Sequence, residues 1–390
     1  MSLPRLISIA IVSALAVLAM RQAGALEALE LAAYDQGVRW RSGSADPAAH
    51  VTIVAIDDAG LQKWGWPVPD QTMDALIGKL LGLGAEVVCM DIYRDKPVPP
   101  GHAQLAGRMR DEARLVGALK YPDPGNGGIA APASIGDPER RGFTDVVPDR
   151  DGTVRRGLLY LGGEAGVEAA LALQCAKRVL ARQGHKPQPA EGALSVALGE
   201  AVLTPLSPGF AGYADIDTRG HQFMLDFRAA PGDVPVVNGQ GVLDDTADAG
   251  ALSGRIVVVG TTSDKVRDAF ALPVSGGAGE GLTYGVVLHA LAADQILRLA
   301  RGVSRPTRAL GIWGEAGLVF AAVVLAAAAM WRRRPGLRFV VGGCAALICM
   351  LAGYLGLLAD WWLPAVPAAV AVAISAIAVN VFGWLWPANR

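Results

Sequence analysis

The sequence predicts an α/β domain with a mixed, partly parallel sheet, attached to an α-helical membrane part that has one amino-terminal and three carboxyl-terminal spans. Residues 310–386 are almost unbroken apolar sequence, interrupted only by the short links 331–335 and 360–364. Residues 21–308 are polar enough to fold in water and contain a strand, a helix and a second strand in succession. Apolar stretches of about 20 residues are long enough to cross a bilayer, which gives three closing spans.

A further apolar segment, Leu6 to Met20, lies ahead of the polar region. We expect it to be retained as a membrane anchor, because helical residues continue after it. The alternative is a cleaved signal peptide, since Ala23-Gly24-Ala25 resembles a cleavage site. The predicted domains are therefore an anchor (1–22), an α/β domain (23–305), three membrane helices (309–386) and a short cytoplasmic tail (387–390).

Basic residues predict the orientation of the chain in the membrane. The link 331–335 carries Arg332, Arg333 and Arg334, whereas the link 360–364 has no basic residue. Cytoplasmic loops of membrane proteins are enriched in Lys and Arg, so the first link is expected in the cytoplasm. Counting spans then places the α/β domain on the extracytoplasmic side and the carboxyl end inside.

The first elements after the anchor follow from hydrophobic spacing. Residues 26–40 have the spacing of a helix, and residues 51–56 are an apolar, β-branched strand. A helix follows over residues 70–81, with Asp70 expected as its N-cap, and a second strand over residues 85–90. This strand–helix–strand unit predicts two parallel strands joined by a right-handed crossover.

The remaining elements are predicted from similar patterns. Gly142 to Arg156 is expected to form a hairpin with Asp151-Gly152 as its turn, and the glycines near residues 276–281 predict a mobile loop. The other expected elements are helices at 101–119, 167–180 and 286–299, strands at 195–198, 224–227 and 255–259, and a loop at 122–128.

Acidic side chains follow the predicted strands. Asp57 and Asp58 come after the strand 51–56, and Asp91 comes after the strand 85–90. The carboxyl ends of parallel strands meet at one edge of a sheet, where ligands bind in open α/β folds. These three acids are therefore candidate ligands of a divalent cation or an amine. The favoured alternative is that each aspartate caps the following turn or helix.

Four further residues complete the predicted site. Trp66 could stack on a ligand, although packing or contact with the membrane surface is an equal alternative. Arg155 is expected to pair with an anion, Asp268 follows the strand at 255–259, and His289 lies on an apolar helix face where a buried structural His is favoured. The candidate ligand-binding residues are thus Asp57, Asp58, Trp66, Asp91, Arg155, Asp268 and His289. No cofactor is expected apart from the divalent cation.

The four cysteines predict no zinc site, because the sequence has no Cys-x-x-Cys pair or Cys/His cluster. Cys89 and Cys175 each lie in an apolar run, where two buried free thiols are favoured over a disulfide. Cys344 and Cys349 lie in the second closing span, where we expect inert thiols.

Several function classes are disfavoured by the sequence. The formal net charge is −1, so nothing favours a nucleic-acid partner. Catalytic patterns such as Gly-x-Ser-x-Gly, His-Glu-x-x-His and the phosphate-binding Gly-rich loop do not occur, so we expect no enzyme. The closing spans contain too few polar residues for a transport path.

Four stretches of the chain, in order, carry a family resemblance. They are Leu26 to Arg41 with Tyr34-Asp35; Val54 to Asp58 with Trp66-Pro67; Ala85 to Tyr93 with Asp91, Gly142-Phe143, Pro148-Asp149, Asp151-Gly152 and Arg155-Arg156; and Gly254 to Gly260 with Asp268, Pro273 and His289. Together with the three closing spans, this combination resembles the extracellular sensor domain of the CHASE group, second class. Residues 279–285 depart from that family's pattern.

The resemblance implies a domain outside the bacterial cytoplasmic (inner) membrane, in the periplasm or extracellular space, within a multi-pass protein. In that family a kinase or nucleotide cyclase output follows the three spans, whereas this sequence stops at Arg390. We therefore expect a separate protein partner to supply the output, or the sequence to be a fragment of a longer sensor. Membrane lipid and a second copy of the chain are further expected partners.

Three functions follow from these observations. The first is a sensor or signalling subunit that relays a stimulus through its membrane helices to a separate output protein. The alternative is a structural or assembly subunit of a bacterial envelope complex, whose α/β domain docks other proteins. The third, disfavoured by the missing catalytic patterns, is an envelope enzyme that uses the aspartates with a metal.

Overall fold

The computed structural model describes residues 3–43, 50–122, 125, 127–163, 166–275 and 281–385. The described residues fall into two compact units. The helical unit comprises Met1–Trp40, Ser207–Asp217 and Thr307–Arg390, and the α/β unit comprises Arg41–Leu206 and Thr218–Pro306. Each unit is described by itself.

The elements are numbered in chain order. The helices are α1 (Leu3–Gln22), α2 (Glu27–Arg41), α3 (Asp58–Trp64), α4 (Asp70–Gly82), α5 (His102–Asp111), α6 (Leu171–Arg182), α7 (Gly239–Leu243), α8 (Gly285–Ala300), α9 (Ile312–Met330), α10 (Pro335–Leu358) and α11 (Ala365–Leu385). The strands are β1 (Val51–Ile56), β2 (Val87–Met90), β3 (Leu115–Leu119), β4 (Arg141–Phe143), β5 (Arg156–Gly163), β6 (Gly166–Ala169), β7 (Gln188–Pro189), β8 (Val196–Leu198), β9 (Ala201–Leu203), β10 (His221–Met224), β11 (Val236–Asn238), β12 (Ile256–Thr261), β13 (Ala269–Phe270), β14 (Thr283–Tyr284), β15 (Arg308–Ala309) and β16 (Trp361–Trp362).

The core of the α/β unit is a parallel sheet, which among the described residues has the strand order β11-β1-β12-β2-β3-β4. The predicted α/β architecture with a parallel sheet is therefore confirmed. Antiparallel pairs occur in separate small sheets, which join β5 to β6 and β10, β8 to β7 and β9, and β13 to β14. Strand β12 lies between β1 and β2, so the predicted strand–helix–strand unit is parallel but its two strands are not neighbours.

Helices cover both faces of this sheet, which explains why β1 and β12 are buried throughout. Val257 and Val259 of β12 belong to one core cluster with Met73 and other apolar residues of α4. Side chains alternate between the faces of a strand, so Gly260 points to the opposite face. There α8 packs so closely that a side chain at Gly260 would overlap Val286.

The structure corrects two predicted helices. The helix expected over 101–119 ends at Asp111, and residues 115–119 form strand β3, because this apolar run is buried inside the sheet. The helix expected from residue 167 begins at Leu171, after strand β6. In both cases burial against neighbouring strands outweighs the helical spacing of the sequence.

The sequence suggested that Asp70 is the N-cap of α4, and this prediction is wrong. Pro69 holds that position, and Asp70 is the first residue of α4. Its buried carboxylate accepts a hydrogen bond from the backbone N–H of Val98 at 3.1 Å and lies 2.9 Å from Nδ1 of His102. Asp70 therefore fastens the segment before α5 to the start of α4.

Other elements agree with the sequence to differing degrees. The predicted helices at 26–40 and 286–299 correspond to α2 and α8, and the short strand near residue 196 is β8. The strand expected at 224–227 ends at Met224. The predicted hairpin keeps its turn at Asp151-Gly152, but β4 belongs to the parallel sheet. Residues 276–280 of the predicted mobile loop, and residues 123, 124 and 126 of the loop predicted at 122–128, lie outside the described residues.

Four helices in the described part of the chain are long and apolar enough to cross a membrane. They are Pro4–Gln22, Ile312–Met330, Pro335–Leu358 and Ala365–Phe382, by length and composition. Three of these helices pack through small side chains such as Ala10, Ala327 and Ala371, as is typical of membrane helices. These features indicate a membrane protein.

Cys89 and Cys175 form a disulfide, with Cα atoms 6.3 Å apart. The predicted pair of free thiols is therefore wrong. Cys89 lies on β2 and Cys175 on α6, which packs against β2 and β3, so the two apolar runs meet inside the core. Cys344 and Cys349 are free, as expected for thiols in the second closing span.

Candidate functional site at the carboxyl edge of the sheet

Asp57 is mainly a structural residue. It caps α3, since its Oδ1 accepts a hydrogen bond from the backbone N–H of Gly60 at 2.8 Å. Its Oδ2 accepts a second hydrogen bond, of 2.6 Å, from Nδ2 of Asn238 at the end of β11. Both carboxylate oxygens are engaged, which agrees with the capping interpretation.

Asp58 faces solvent beside this cap. Its side chain is 64% exposed, accepts a hydrogen bond of 2.5 Å from Oγ of Ser263, and lies 3.7 Å from Nζ of Lys265. Ser263 and Lys265 follow β12, so they lie at the same edge of the sheet as Asp58. Because Asp58 is exposed to solvent, its ion pair with Lys265 contributes little free energy.

The three aspartates proposed as metal ligands do not form one ligand set. In the sheet register Ile56 lies opposite Thr261 and Met90 opposite Val259, with β12 between them. Two strand spacings and a two-residue offset separate Asp57 from Asp91 by about 12 Å between Cα atoms. Among the described residues, no group of three or more His, Cys, Asp or Glu could hold a metal ion.

The structure does bring Asp91, Asp268 and His289 to one place. Asp91 follows β2 and is buried, and its Oδ2 accepts no hydrogen bond from any described residue. Nε2 of His289, in the second turn of α8, lies 4.0 Å from Oδ1 of Asp91. Burying a carboxylate oxygen without a hydrogen-bond partner lowers stability, so the presence of Asp91 here points to a role other than stability.

Asp268 lies against the start of α8. Its carboxylate contacts Gly285, the first residue of that helix, and its backbone carbonyl accepts a hydrogen bond of 3.0 Å from the N–H of Gly285. The N-terminus of a helix carries a partial positive charge that stabilises a carboxylate. Through its contact with Gly285, the carboxylate of Asp268 is therefore coupled to the position of α8.

Burial sets the protonation of these three groups. It raises the pKa of Asp91 well above its usual value, and the nearby charge of Asp268 raises it further. Burial also raises the pKa of Asp268, and it lowers the pKa of His289 to about 4, so this imidazole is neutral at pH 7. Two carboxyl groups and a neutral imidazole can take up a proton or hold a cationic group. We call these three residues the acidic site.

Three residues beside the acidic site, Tyr93, Thr144 and Asp145, were not identified as site residues by the sequence analysis. The hydroxyl groups of Tyr93 and Thr144 share a hydrogen bond of 2.7 Å, and burial raises the pKa of Tyr93. Asp145 accepts a hydrogen bond of 2.7 Å from the backbone N–H of Tyr121. Thr144 and Asp145 follow β4 directly, the same signal that marked the other aspartates, but the hairpin prediction concealed it.

A cavity of about 30 Å³ adjoins His289 and is lined also by Asp145, Arg156 and apolar residues. This volume has room for a water molecule or a small ion, and it is too small for a drug-sized ligand.

Trp66 and Arg155 lie apart from this group in their contacts. Trp66 is 46% exposed in the segment between α3 and α4. Arg155 is buried, and its guanidinium pairs with the carboxylates of Asp149 and Asp151, each at 2.7 Å. The anions that Arg155 binds are thus side chains of its own turn.

Replacing Asp91 by Asn is expected to stabilise the α/β unit at neutral pH. The pKa of Asp91 is raised in the folded state, so wild-type stability is greatest below its unfolded pKa and falls as the pH rises through the folded pKa. The gain from Asp91→Asn should therefore be absent near pH 4 and full at higher pH. Each kcal/mol corresponds to roughly 2–4 °C in melting temperature for a domain of this size.

Thermal unfolding of the full chain in mild detergent at several pH values measures this gain. Asp248→Asn is the matched control, since Asp248 is an exposed capping residue whose cap Asn preserves. A lower melting temperature of Asp91→Asn at neutral pH would show instead that the folded state uses the charge of Asp91.

Comparison with known proteins identifies one family. A family model described as the CHASE2 domain matches residues 12–331, well over half of the chain. Neither the curated proteins nor the solved structures contain a match to this chain.

Proposed function

This chain belongs to the CHASE2 domain family of sensor domains, and from that premise we propose that it perceives a stimulus outside the cytoplasm at the acidic site and relays it through its membrane helices to an output protein. The proposal includes a protein partner and contact with membrane lipid. It assigns the chain no catalysis of its own and no nucleic-acid partner.

The position of α8 carries this proposal. The helix starts at Gly285 against Asp268, contains His289 in its second turn, and is buried over all its 16 residues. It is about 24 Å long. The chain then runs through residues 301–311 directly into α9, the first closing span. A displacement of α8 at the acidic site therefore reaches a membrane helix along a short stretch of chain.

The far end of α8 is held firmly. Arg298, in its last turn, pairs with Asp226 at 3.0 Å and with Asp294 at 2.8 Å, and these groups are buried. Gln295 donates to the backbone carbonyl of Met224 and accepts from the N–H of Asp226. Such a helix moves as one body, which favours transmission over local fraying.

A stimulus works only if it binds two conformations with different affinity. In one state Asp268 lies at the N-terminus of α8, and Oδ2 of Asp91 is buried without a hydrogen-bond partner. Protonation of this pair, or its pairing with a cation, removes the repulsion between the two carboxylates. The contact between Asp268 and α8 is then weakened, which gives the stimulus a physical means to move the helix.

The proposal includes a multi-pass location in a bacterial inner membrane with the α/β unit in the periplasm, and two observations support an extracytoplasmic position of that unit. The disulfide between Cys89 and Cys175 favours an oxidising compartment. The arginines between α9 and α10 favour the cytoplasm for that link, and this supports a position of the α/β unit on the other side of the membrane.

A pull-down of the intact protein from its native membrane in mild detergent, followed by mass spectrometry, tests the proposal. We expect a kinase, a cyclase or another signalling polypeptide in near-stoichiometric amount. The activity of that polypeptide should change with Asp91→Asn and remain unchanged with the control Asp248→Asn.

A stoichiometric set of envelope proteins without a signalling enzyme would contradict the sensor function and support a structural or assembly subunit. An output whose activity ignores Asp91→Asn would leave a signalling chain but remove the acidic site from it.

A further inference from the structure

The helical unit contains an apolar cavity. It has a volume of about 400 Å³ and lies between α2, the last turns of α10 and the start of α11. Its lining is overwhelmingly apolar and includes Tyr34, Trp40, Tyr354, Leu357, Trp362 and Val366. We call it the interhelical cavity. Cavities of this size and character are typical of sites for small apolar ligands.

Aromatic packing holds the walls of the interhelical cavity in place. The ring of Tyr34 stacks on that of Trp362 with centroids 4.2 Å apart, and Trp40 meets Tyr354 edge-on at 5.2 Å. Leu357 packs directly against Gly37 of α2. Ring contacts of this kind fix side-chain positions, so the cavity is formed before any ligand arrives.

The charged residue in the lining is held in an ion pair. This residue is Glu30, and its carboxylate lies 2.8 Å from Nε of Arg21. The other side of the guanidinium pairs with Glu315 at 2.6 Å and donates to the carbonyl of Ala211. Burial raises the pKa of Glu30, and Arg21 opposes that rise. The carboxylate of Glu30 is thus engaged by Arg21 on one side of the cavity, and the rest of the lining is suited to a hydrocarbon chain, which requires no charged partner.

The interhelical cavity is continuous with a surface that meets lipid. Helix α10 is a candidate membrane span, and Leu351 both lines the cavity and is 55% exposed. Next to the cavity, the guanidinium of Arg308 lies 4.4 Å above the ring of Trp361. Trp and Arg at the end of a span are typical of the boundary between lipid headgroups and acyl chains. Trp40 on α2 is 62% exposed at the same cavity.

We propose that the interhelical cavity binds one acyl chain of a membrane phospholipid, which enters beside Leu351 and lies between α2 and α10. The proposal goes beyond the sensor function, since it concerns residues of the helical unit alone. It also gives α2, a helix outside the candidate spans, a lipid contact that the surrounding bilayer would not give it.

Photolabelling tests this proposal on the full chain. The protein is placed in nanodiscs of phosphatidylethanolamine and phosphatidylglycerol that contain a phosphatidylethanolamine with a diazirine on one acyl chain. After irradiation and digestion, mass spectrometry locates the label. We expect label on residues 33–40 of α2 as well as on residues 350–357 of α10.

Ala33→Phe places a ring in the cavity, because Ala33 lines it. Labelling of α2 should fall about tenfold, the affinity that roughly two buried methylene groups contribute. Ala32→Phe is the matched control, since Ala32 is exposed and does not line the cavity. Leu351→Trp, at an exposed position of the entrance, should lower the label on α2 even if Ala33→Phe fails to fold.

Three results would overturn the proposal. Label on exposed α10 residues such as Leu347 and Ile348, with none on α2, would mean annular lipid only. Undiminished label on α2 in both Ala33→Phe and Leu351→Trp would place the chain elsewhere. A dimer in native mass spectrometry whose α2 is protected from label would show that a second copy covers the cavity.

Discussion

Arg298→Met is expected to destabilise the α/β unit by about 3–5 kcal/mol, because it leaves a buried carboxylate without its principal cation. Nη1 and Nη2 of Arg298 donate to the two carboxylate oxygens of Asp226 at 3.1 and 3.0 Å. Burial alone would raise the pKa of Asp226, yet the guanidinium of Arg298, with the charge of Arg41, holds it below its usual range. Methionine preserves the volume of the side chain and removes only the charge and the hydrogen bonds.

The pH dependence of this loss has a definite sign. The pKa of Asp226 is lowered on folding, so the pair stabilises the protein above the unfolded pKa of an aspartate, about 3.9, and loses this contribution as the pH falls through the folded pKa. The damage of Arg298→Met should therefore be full at neutral pH and shrink in acid. In the wild type the two carboxyl groups thus have opposite effects. The contribution of Asp226 to stability is lost in acid, whereas that of Asp91, whose folded pKa is raised, is lost as the pH rises.

Thermal unfolding of the full chain in mild detergent, with hydrogen exchange of α8 peptides, measures the effect. The double variant Asp226→Asn/Arg298→Met should be more stable than Arg298→Met alone, since the side chain of residue 226 is then no longer a buried charge deprived of its partner. Arg305→Met, at an exposed position, should stay within about 0.5 kcal/mol of wild type. Equal destabilisation in acid and at neutral pH would mean that Arg298 acts through packing instead of charge.

Cys89→Ala is expected to cost the α/β unit about 2–4 kcal/mol, because the disulfide restricts the unfolded chain over a long loop between β2 and α6. Cys175→Ala should cost a similar amount, and the double variant little more, since either change removes the same bond. Cys344→Ala, which alters a free thiol of the helical unit, is the control and should leave the stability of the α/β unit unchanged.

Alkylation of the denatured, unreduced chain gives an independent result. Only Cys344 and Cys349 should react, and Cys89 and Cys175 should become reactive after reduction. Reaction of Cys89 before reduction would contradict the disulfide and restore the free-thiol interpretation.

The local elements of this fold could be predicted where the pattern is strong. Strand β1 is a run of apolar and β-branched residues, and α4 repeats apolar residues at three and four, so both were identified within a few residues. Residues 115–119 were misassigned because a short buried strand and a helix segment share the same apolar pattern. Only the tertiary position of that run, inside a sheet, decides between them.

Only part of the candidate site could be predicted, because its composition depends on tertiary position as well. The rule that ligands gather at the carboxyl edge of parallel strands pointed to Asp91, which the structure brings together with Asp268 and His289, yet it grouped that residue with Asp57. Sequence gives no sign that β12 inserts between β1 and β2, which separates these residues. The pairing of Asp91 with Asp268 and His289, and of Cys89 with Cys175, depends on how α6 and α8 pack on the sheet.

The insertion of β12 between β1 and β2 also governs how this domain can be made. Residues 51–56 pair with residues 256–261, so the centre of the sheet stays open until nearly the whole α/β unit has been synthesised. Pairing between distant segments is slow, because loop closure must come before the contacts that reward it. Until then, β1 and β2 expose apolar, unpaired edges. The nascent protein is thus most dependent on protection from aggregation before β12, its last central strand, has been synthesised.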